Sequence, residues 1–290
     1  MTQMNRRDFM KQGAMLGAGA AAVGAGLGHA RGEEKKKGMP HIRLGSLEIS
    51  RMILGSNPFW GYSHKNSQLD REMREFHTDE RIVAILDEAA ACGVTAVASP
   101  PEPRWIELWT KYKKEGGKLA HWISQCHLDP GKIPGEIERS GGIASAMFIQ
   151  GHRVEQQFDA GKWDVLTAWL EQIRKFNVPA GLASHYPEVH LEAEKRGLPA
   201  DFYYQCFYNV TKSGEWAEGE RTQAVKTVQA IEKKPVIAYK ILAAGRLAPE
   251  AGFEFALKNI RPKDGVCVGI FIRDGVDQIR QNTLYTELYS

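Results

Sequence analysis

The segment Ala144–Tyr208 reads ASAMFIQGHRVEQQFDAGKWDVLTAWLEQIRKFNVPAGLASHYPEVHLEAEKRGLPADFYYQCFY, and one rhythm runs through it. Three short apolar runs, Ala144–Gln150, Ala180–Ser184 and Phe202–Tyr208, have the Ala, Ile, Phe and Tyr content of strands buried on both faces. Between them, Trp163–Phe176 and Pro187–Arg196 carry apolar residues at helical spacing and stop at Asn177-Val178-Pro179 and Gly197. Strand, helix, strand in this order predicts parallel pairing, because the chain must cross back before the next strand begins.

The rhythm extends in both directions. Arg51–Gly55, Thr95–Ser99 and Leu119–Cys126 precede the segment; Val236–Ile241 and Val266–Ile270 follow it. A helix is predicted from Thr78, whose hydroxyl caps a first turn holding Asp79 and Glu80, and it ends at Cys92-Gly93. Another runs over Thr222–Lys233 and stops before Pro235. Eight strands with intervening helices over about 250 residues predict an α/β fold, a (β/α)8 TIM barrel in one domain over residues 39–290. A doubly wound sheet is the alternative, but no GxGxxG follows the first strand.

The amino end reads as an address. Asn5-Arg6-Arg7-Asp8-Phe9-Met10-Lys11 is followed by an Ala/Gly-rich stretch and by Gly28-His29-Ala30, which predicts a twin-arginine signal over residues 1–30. Residues 31–38, RGEEKKKG, read as a charged linker. The expected location is therefore periplasmic or exported, with the twin-arginine export machinery as a partner and no stable membrane span after cleavage. A cut after Ala30 removes three cations and one anion, so the net charge falls from +3 to +1. That balance gives no case for nucleic acid. Cys92, Cys126, Cys206 and Cys267 lie in apolar stretches without a CxxC pair and read as buried small hydrophobes, although an oxidising compartment leaves a disulfide open.

In a TIM barrel the chemistry sits where strands end. The residues at those ends form a polar crown: Asn57, Ser99, Arg104, Gln125, His127, Gln150, His152, Ser184, His185, Gln205, Tyr208, Asn209, Tyr239 and Lys240. His127, His152 and His185 close consecutive strands. They are candidate catalytic acids or bases, with Lys240 or Arg104 holding negative charge. Three neutral imidazoles at adjacent strand ends equally predict a divalent metal site built on His127, His152 and His185, for hydrolase or lyase chemistry. Pro58–His77 follows the first strand and would lie over the barrel mouth. Its Trp60, Tyr62, His64, Asn66, Asp70, Glu72 and His77 suit a sugar or polyol, and Asn57, Trp60, His64, Asp70, Arg104, Gln125 and Gln150 make the candidate substrate set.

The mature chain also resembles the aldo-keto reductase family. Leu44–Gly61 is similar to that family's leading hairpin and first strand, Ala146–His152 to its fourth strand with a terminal histidine, and Gly181–Tyr186 to its "GvSNf" segment. Gln205–Asn209, Ile237–Leu247 and Asp277–Asn282 are similar to "QxxYN", "vaYsPLagGlL" and the closing "eqleeN" helix. The resemblance implies a barrel that binds NADP(H), with Ser184, Gln205 and Tyr239 at the nicotinamide and His152 as the retained catalytic histidine. The family's catalytic pattern is otherwise broken. Its "DTAxxYG" falls on Ala98–Arg104 without aspartate or tyrosine, and its lysine falls near Gln125. His185 stands where the family has an asparagine, and Gly269–Gly275 is altered where it binds phosphate.

Three readings follow. The first is an exported barrel enzyme on a carbonyl or sugar-like small molecule, without the standard Tyr/Lys/Asp reductase chemistry and with NADP(H) optional. The second is the metal-dependent hydrolase or lyase. The third is a non-catalytic protein that binds a small molecule or glycan. The signal is tested directly: replacing Arg6 and Arg7 together by lysine should leave the full-length chain in the cytoplasm, whereas the unaltered chain appears shortened in the periplasmic fraction on immunoblots.

Overall fold

The computed structural model describes residues 38–208, 220–274 and 277–290. The expected signal, most of the charged linker and the crown residue Asn209 lie outside the described residues. An antiparallel hairpin opens the fold, β1 (His41–Leu44) and β2 (Leu47–Ser50), with Ile42 opposite Ile49. Eight strands then close a parallel barrel: β3 (Met52–Gly55), β4 (Ala96–Ser99), β5 (His121–Cys126), β6 (Ala146–Ile149), β7 (Ala180–Ser184), β8 (Phe202–Cys206), β9 (Val236–Tyr239) and β10 (Gly265–Gly269), with β10 pairing back onto β3. The chain is a single (β/α)8 TIM barrel, as the strand and helix rhythm requires.

Helices lie between the strands: α1 (Ser67–Phe76) and α2 (Asp79–Ala91) after β3, α3 (Pro103–Lys114) after β4, α4 (Ile133–Ser140) after β5, and both α5 (Gly151–Asp159) and α6 (Trp163–Arg174) after β6. They continue with α7 (Pro187–Lys195), α8 (Glu220–Ala230), α9 (Pro249–Asn259) and α10 (Gln278–Tyr289). Local sequence sets their starts. Asn66 caps α1 by accepting the Leu69 N–H at 2.8 Å, and Thr78 caps α2. Pro103 and Pro187 begin helices where a missing N–H costs nothing.

Two apolar layers hold the barrel. The outer layer packs helices on strands through Leu54, Val97, Trp122, Met147, Leu182 and Val266. The inner layer fills the barrel with Ile53, Ala96, Ala98, Ile123, Phe148, Phe202, Tyr204 and Ile237, and the hairpin's Ile42, Leu44 and Ile49 pack against them from the amino-terminal end. Large and small residues interdigitate here. Phe148 stacks on Tyr204 with ring centroids 4.3 Å apart, and a Cβ added to Gly181 would meet the Phe202 ring at 2.4 Å. The interior is packed solid up to the carboxyl ends of the strands, which confines chemistry to the mouth.

His190 on α7 is a structural histidine. It is fully buried, and its Nε2 lies 3.0 Å from the Tyr204 carbonyl. Burial holds its ring neutral, down to about 4 from the ordinary 6.5. The unfolded chain takes up a proton at this ring below 6.5 and the folded chain does not until about 4, so stability should fall as pH drops through that window. The loss is about 3 kcal/mol for a fully buried ring. His190→Gln should flatten the dependence of the urea midpoint on pH between 6.5 and about 4.

Candidate functional site

The strongest polar constellation lies at the carboxyl ends of β7 and β9. Glu155, 5% exposed, sits on the strand-facing side of α5, at helical spacing from Gly151. Its Oε1 accepts three hydrogen bonds, from the Ser184 hydroxyl at 3.0 Å, the His185 backbone N–H at 2.6 Å and His185 Nδ1 at 2.9 Å. Burial alone would raise this carboxyl; the hydrogen bonds from the His185 ring, the His185 backbone N–H and Ser184 outweigh it and hold it below the ordinary carboxylate value. The shared hydrogen on Nδ1 leaves Nε2 as the acceptor, and Lys240 Nζ lies 3.0 Å from it. Burial lowers the Lys240 ammonium below its ordinary value, against the pull of Cys206 and Glu155. Tyr239 turns its ring to His185, with centroids 5.8 Å apart.

The segment after β3 adds the other wall. Asn57–Trp60 form one 3-10 turn, Trp60 Nε1 donates to the Ser99 hydroxyl at 3.2 Å, and Asn57 Nδ2 lies 3.4 Å from His64 Nε2. Although His64 keeps an exposed face, the surrounding protein and then Lys240 and His185 hold its ring towards neutral. Lys65 Nζ reaches the Gly245 carbonyl at 3.4 Å and Arg246 Nη2 the His64 carbonyl at 3.2 Å, which clasps this segment to the loop after β9.

A second constellation stands at the end of β5. Glu136 on α4 is fully buried. It accepts the backbone N–H groups of His127 and Leu128 at 2.8 Å each, and its Oε1 lies 3.0 Å from His127 Nδ1. The other ring nitrogen, Nε2, lies 3.2 Å from Glu102 Oε1.

Several expectations are corrected. Strand β6 ends at Ile149, Gln150 becomes the N-cap of α5, and His152 falls in the first turn of that helix. There it is exposed, with Nε2 3.4 Å from the Gln156 amide on the next turn. His127, His152 and His185 thus have three separate sets of partners. Among the described residues no group of three His, Cys, Asp or Glu side chains is arranged to hold a metal ion, so the three-histidine metal site is not formed. Asp70 braces its own loop, accepting the Ser63 N–H at 2.9 Å and the Ser63 hydroxyl at 2.5 Å. Arg104 is committed to Asp79 at 2.7 Å and to the His77 carbonyl at 2.9 Å. All four cysteines are free.

The residues of the nicotinamide set hold contacts within the chain. The Ser184 hydroxyl is tied to Glu155 and to the Tyr186 N–H, and His185 takes the third position with both nitrogens engaged. Gln205 Nε2 donates to the His185 and Cys206 carbonyls. Gln205 Oε1, in contrast, is a buried acceptor without a hydrogen-bond partner. The structure brings together His185, Lys240, His64, Asn57 and Tyr239. Gln125 and Gln150 stand at neighbouring strand ends, Gln125 paired with Phe148 two residues before Gln150. Glu155, Glu136 and Glu102 escaped the sequence reading. A signal existed for two of them: Glu136 falls on the apolar stripe Ile133, Ile137 of α4, and Glu155 on the stripe Gly151, Val154 of α5.

No family model matches the chain, and no curated protein matches it significantly. Among solved structures it is similar to orotidine 5'-monophosphate decarboxylase from Methanocaldococcus jannaschii, at 14% identity over 87% of this chain and 99% of that one, with a TM-score of 0.53. Glycerol dehydrogenase AKR11B4 from Gluconobacter oxydans aligns at 14% identity over 71% of this chain, TM-score 0.42, and this chain covers 64% of its length. Rubisco from Pyrococcus horikoshii OT3 aligns at 10% identity, TM-score 0.45, over 73% and 52% of the two chains. At these identities the likeness is one of fold. The chain is a TIM barrel, and the distinguishing feature of its mouth is the Glu155–His185–Lys240 chain.

Glu155→Gln should test how firmly that chain is built. The amide keeps an acceptor but loses the charge and buries an N–H2 beside the His185 ring, so the variant should unfold about 1–3 kcal/mol more easily in urea.

Proposed function

We propose that this protein is an enzyme that moves a proton on a small carbonyl compound, sugar-like in its hydroxylation, at the barrel mouth. The observation that carries the reading is the chain Glu155–His185–Lys240, with successive separations of 2.9 and 3.0 Å. Glu155 fixes the tautomer in which Nε2 bears the lone pair, and it stabilises the ring once that nitrogen has taken a proton. Lys240 occupies that lone pair at rest. When substrate enters, the ammonium turns to the carbonyl oxygen, where negative charge develops, and His185 Nε2 is released to accept the proton from the adjacent carbon. The half-buried setting strengthens both interactions. Trp60 and Tyr62, on the segment after β3 that also carries His64, suit the CH faces of a polyol. The reading needs no nicotinamide. It is compatible with the export expected from the amino end, since the twin-arginine route carries folded proteins.

The test is hydrogen exchange in deuterated water, read by proton NMR over a panel of hydroxyaldehydes, hydroxyketones and keto sugars. The wild-type protein should wash deuterium into the carbon beside the carbonyl of at least one compound. His185→Gln and Lys240→Met should each slow this by about 10²- to 10⁴-fold, and NADPH should change nothing. Exchange on no compound, or exchange indifferent to both substitutions, would overturn the reading. A saturable thermal shift without exchange would favour a binding protein.

A further inference from the structure

Two histidine–glutamate pairs on the rim are built to one plan. His127 follows β5 and His185 follows β7, and in each the backbone N–H and the ring Nδ1 both bond one buried glutamate from a neighbouring helix, Glu136 or Glu155. The plan leaves Nε2 as the outward nitrogen of each ring. What faces Nε2 is opposite in the two cases. His185 Nε2 meets the Lys240 ammonium at 3.0 Å, and His127 Nε2 meets the Glu102 carboxylate at 3.2 Å. A nitrogen held against an ammonium must offer a lone pair. A ring with a carboxylate at each nitrogen is satisfied when both nitrogens carry protons. The two rings thus offer opposite edges to the mouth, one facing an ammonium and one a carboxylate, and that asymmetry suits an acid–base pair.

Their spacing suits one small molecule. Cys126 pairs with Ile149 and Ile149 with Leu182, so the two histidines stand two strands apart on the rim, with Gln150 between them. Two strand spacings are about 10 Å at the backbone. Lys240 already serves the carbonyl oxygen in the reading proposed above, on which this inference rests. A proton donor across the rim is then left for a second oxygen.

We infer that the protein is a lyase that eliminates water from a β-hydroxy carbonyl compound, with His185 as base and His127 as the acid that protonates the departing hydroxyl. His185 Nε2 takes the proton from the α-carbon, and the electrons of that C–H bond form the new C=C bond. The bond from the β-carbon to its hydroxyl oxygen breaks with its electron pair, and His127 Nε2 gives that oxygen a proton, releasing water. One ring has gained a proton and the other has lost one; exchange with solvent resets both, and no oxidant or reductant is consumed.

A β-hydroxy ketose and its β-fluoro analogue decide the matter, because departing fluoride needs far less protonation than departing hydroxide. Wild-type protein should convert both to the unsaturated product, followed by ultraviolet absorbance and fluoride release. His127→Asn should keep the α-carbon deuterium exchange, lose water elimination by about 10²-fold or more, and release fluoride within a few fold of wild type. Glu102→Gln, on the exposed edge of the pair, should lower water elimination in the same selective way. His185→Gln should lose exchange and both eliminations. Exchange without elimination in the wild-type protein would overturn this inference and leave the proton-transfer reading standing, whereas absence of exchange would overturn that reading as well. Equal loss of water and fluoride elimination in His127→Asn would make His127 structural and sink its role as acid.

Discussion

Everything at the mouth depends on closing the seam between the last strand and the first. Parallel strands leave unpaired N–H and C=O groups at any open edge, and a barrel is the arrangement without one. The seam runs Val266 to Met52, Cys267 to Ile53, Val268 to Leu54 and Gly269 to Gly55. At its upper end two glycines face each other. A Cβ on Gly55 would stand 2.9 Å from the Gly269 nitrogen, and one on Gly269 would stand 2.8 Å from Pro58 Cδ. The bare backbones let the strands pair and let Pro58 turn immediately over them. At the lower end Arg51 donates to the Asp264 and Arg261 carbonyls, while the buried Asp264 carboxylate accepts the Val236 N–H at 2.8 Å and binds Arg261 at 2.7 Å. That knot ties β3, β9 and β10 together. With the seam closed, Lys240 from the seventh barrel strand comes opposite His185 from the fifth.

The closed ring positions these groups at a cost in backbone strain, and the cost is localised. Of the five non-glycine residues with positive φ among those described, four lie where the segment after β3 meets the loop after β9: His64 at 55°, Lys240 at 58°, Ala243 at 46° and Ala244 at 54°. Side chains disfavour this region, and each such residue is held there only by its surroundings, at about 1–3 kcal/mol. The clasp made by Lys65 and Arg246 supplies part of that restraint. The left-handed turn at Lys240 ends β9 abruptly and sends the ammonium to His185.

The barrel was legible in the sequence because a buried strand and an amphipathic helix have different periods, and the chain alternates them eight times. Phe202 and Val236 begin their strands where their apolar runs begin, and Thr78 caps its helix as its hydroxyl predicts. Boundaries moved where a polar residue could serve either element, as Gln150 does in leaving its strand to cap α5. That shift carried His152 out of the crown. The site was half legible: His127, His185 and Lys240 stand at strand ends, but their meaning lies in partners remote in sequence. Glu155 is thirty residues from His185, and Lys240 is fifty-five. A motif reading that treats glutamates on helices as solvated faces passes over them, although two of them interrupt apolar stripes.

Those glutamates also separate two kinds of histidine in one molecule. His77 and His190 are fully buried, and each sets a ring nitrogen against a backbone carbonyl, at 2.7 Å to Met73 and 3.0 Å to Tyr204. A neutral ring beside a carbonyl is the least costly way to pack a histidine, since it brings no charge out of water. His127 and His185 are handled differently. Each keeps an exposed edge at the rim, yet each is backed by a glutamate almost wholly withdrawn from solvent. Burying a carboxylate costs several kcal/mol before its hydrogen bonds are counted, and a carbonyl or an amide would have fixed the same ring without that expense. Packing does not call for two such pairs on one rim. A carboxylate favours the imidazolium far more strongly than a carbonyl does, which is what the acid–base roles proposed for these two rings would call for.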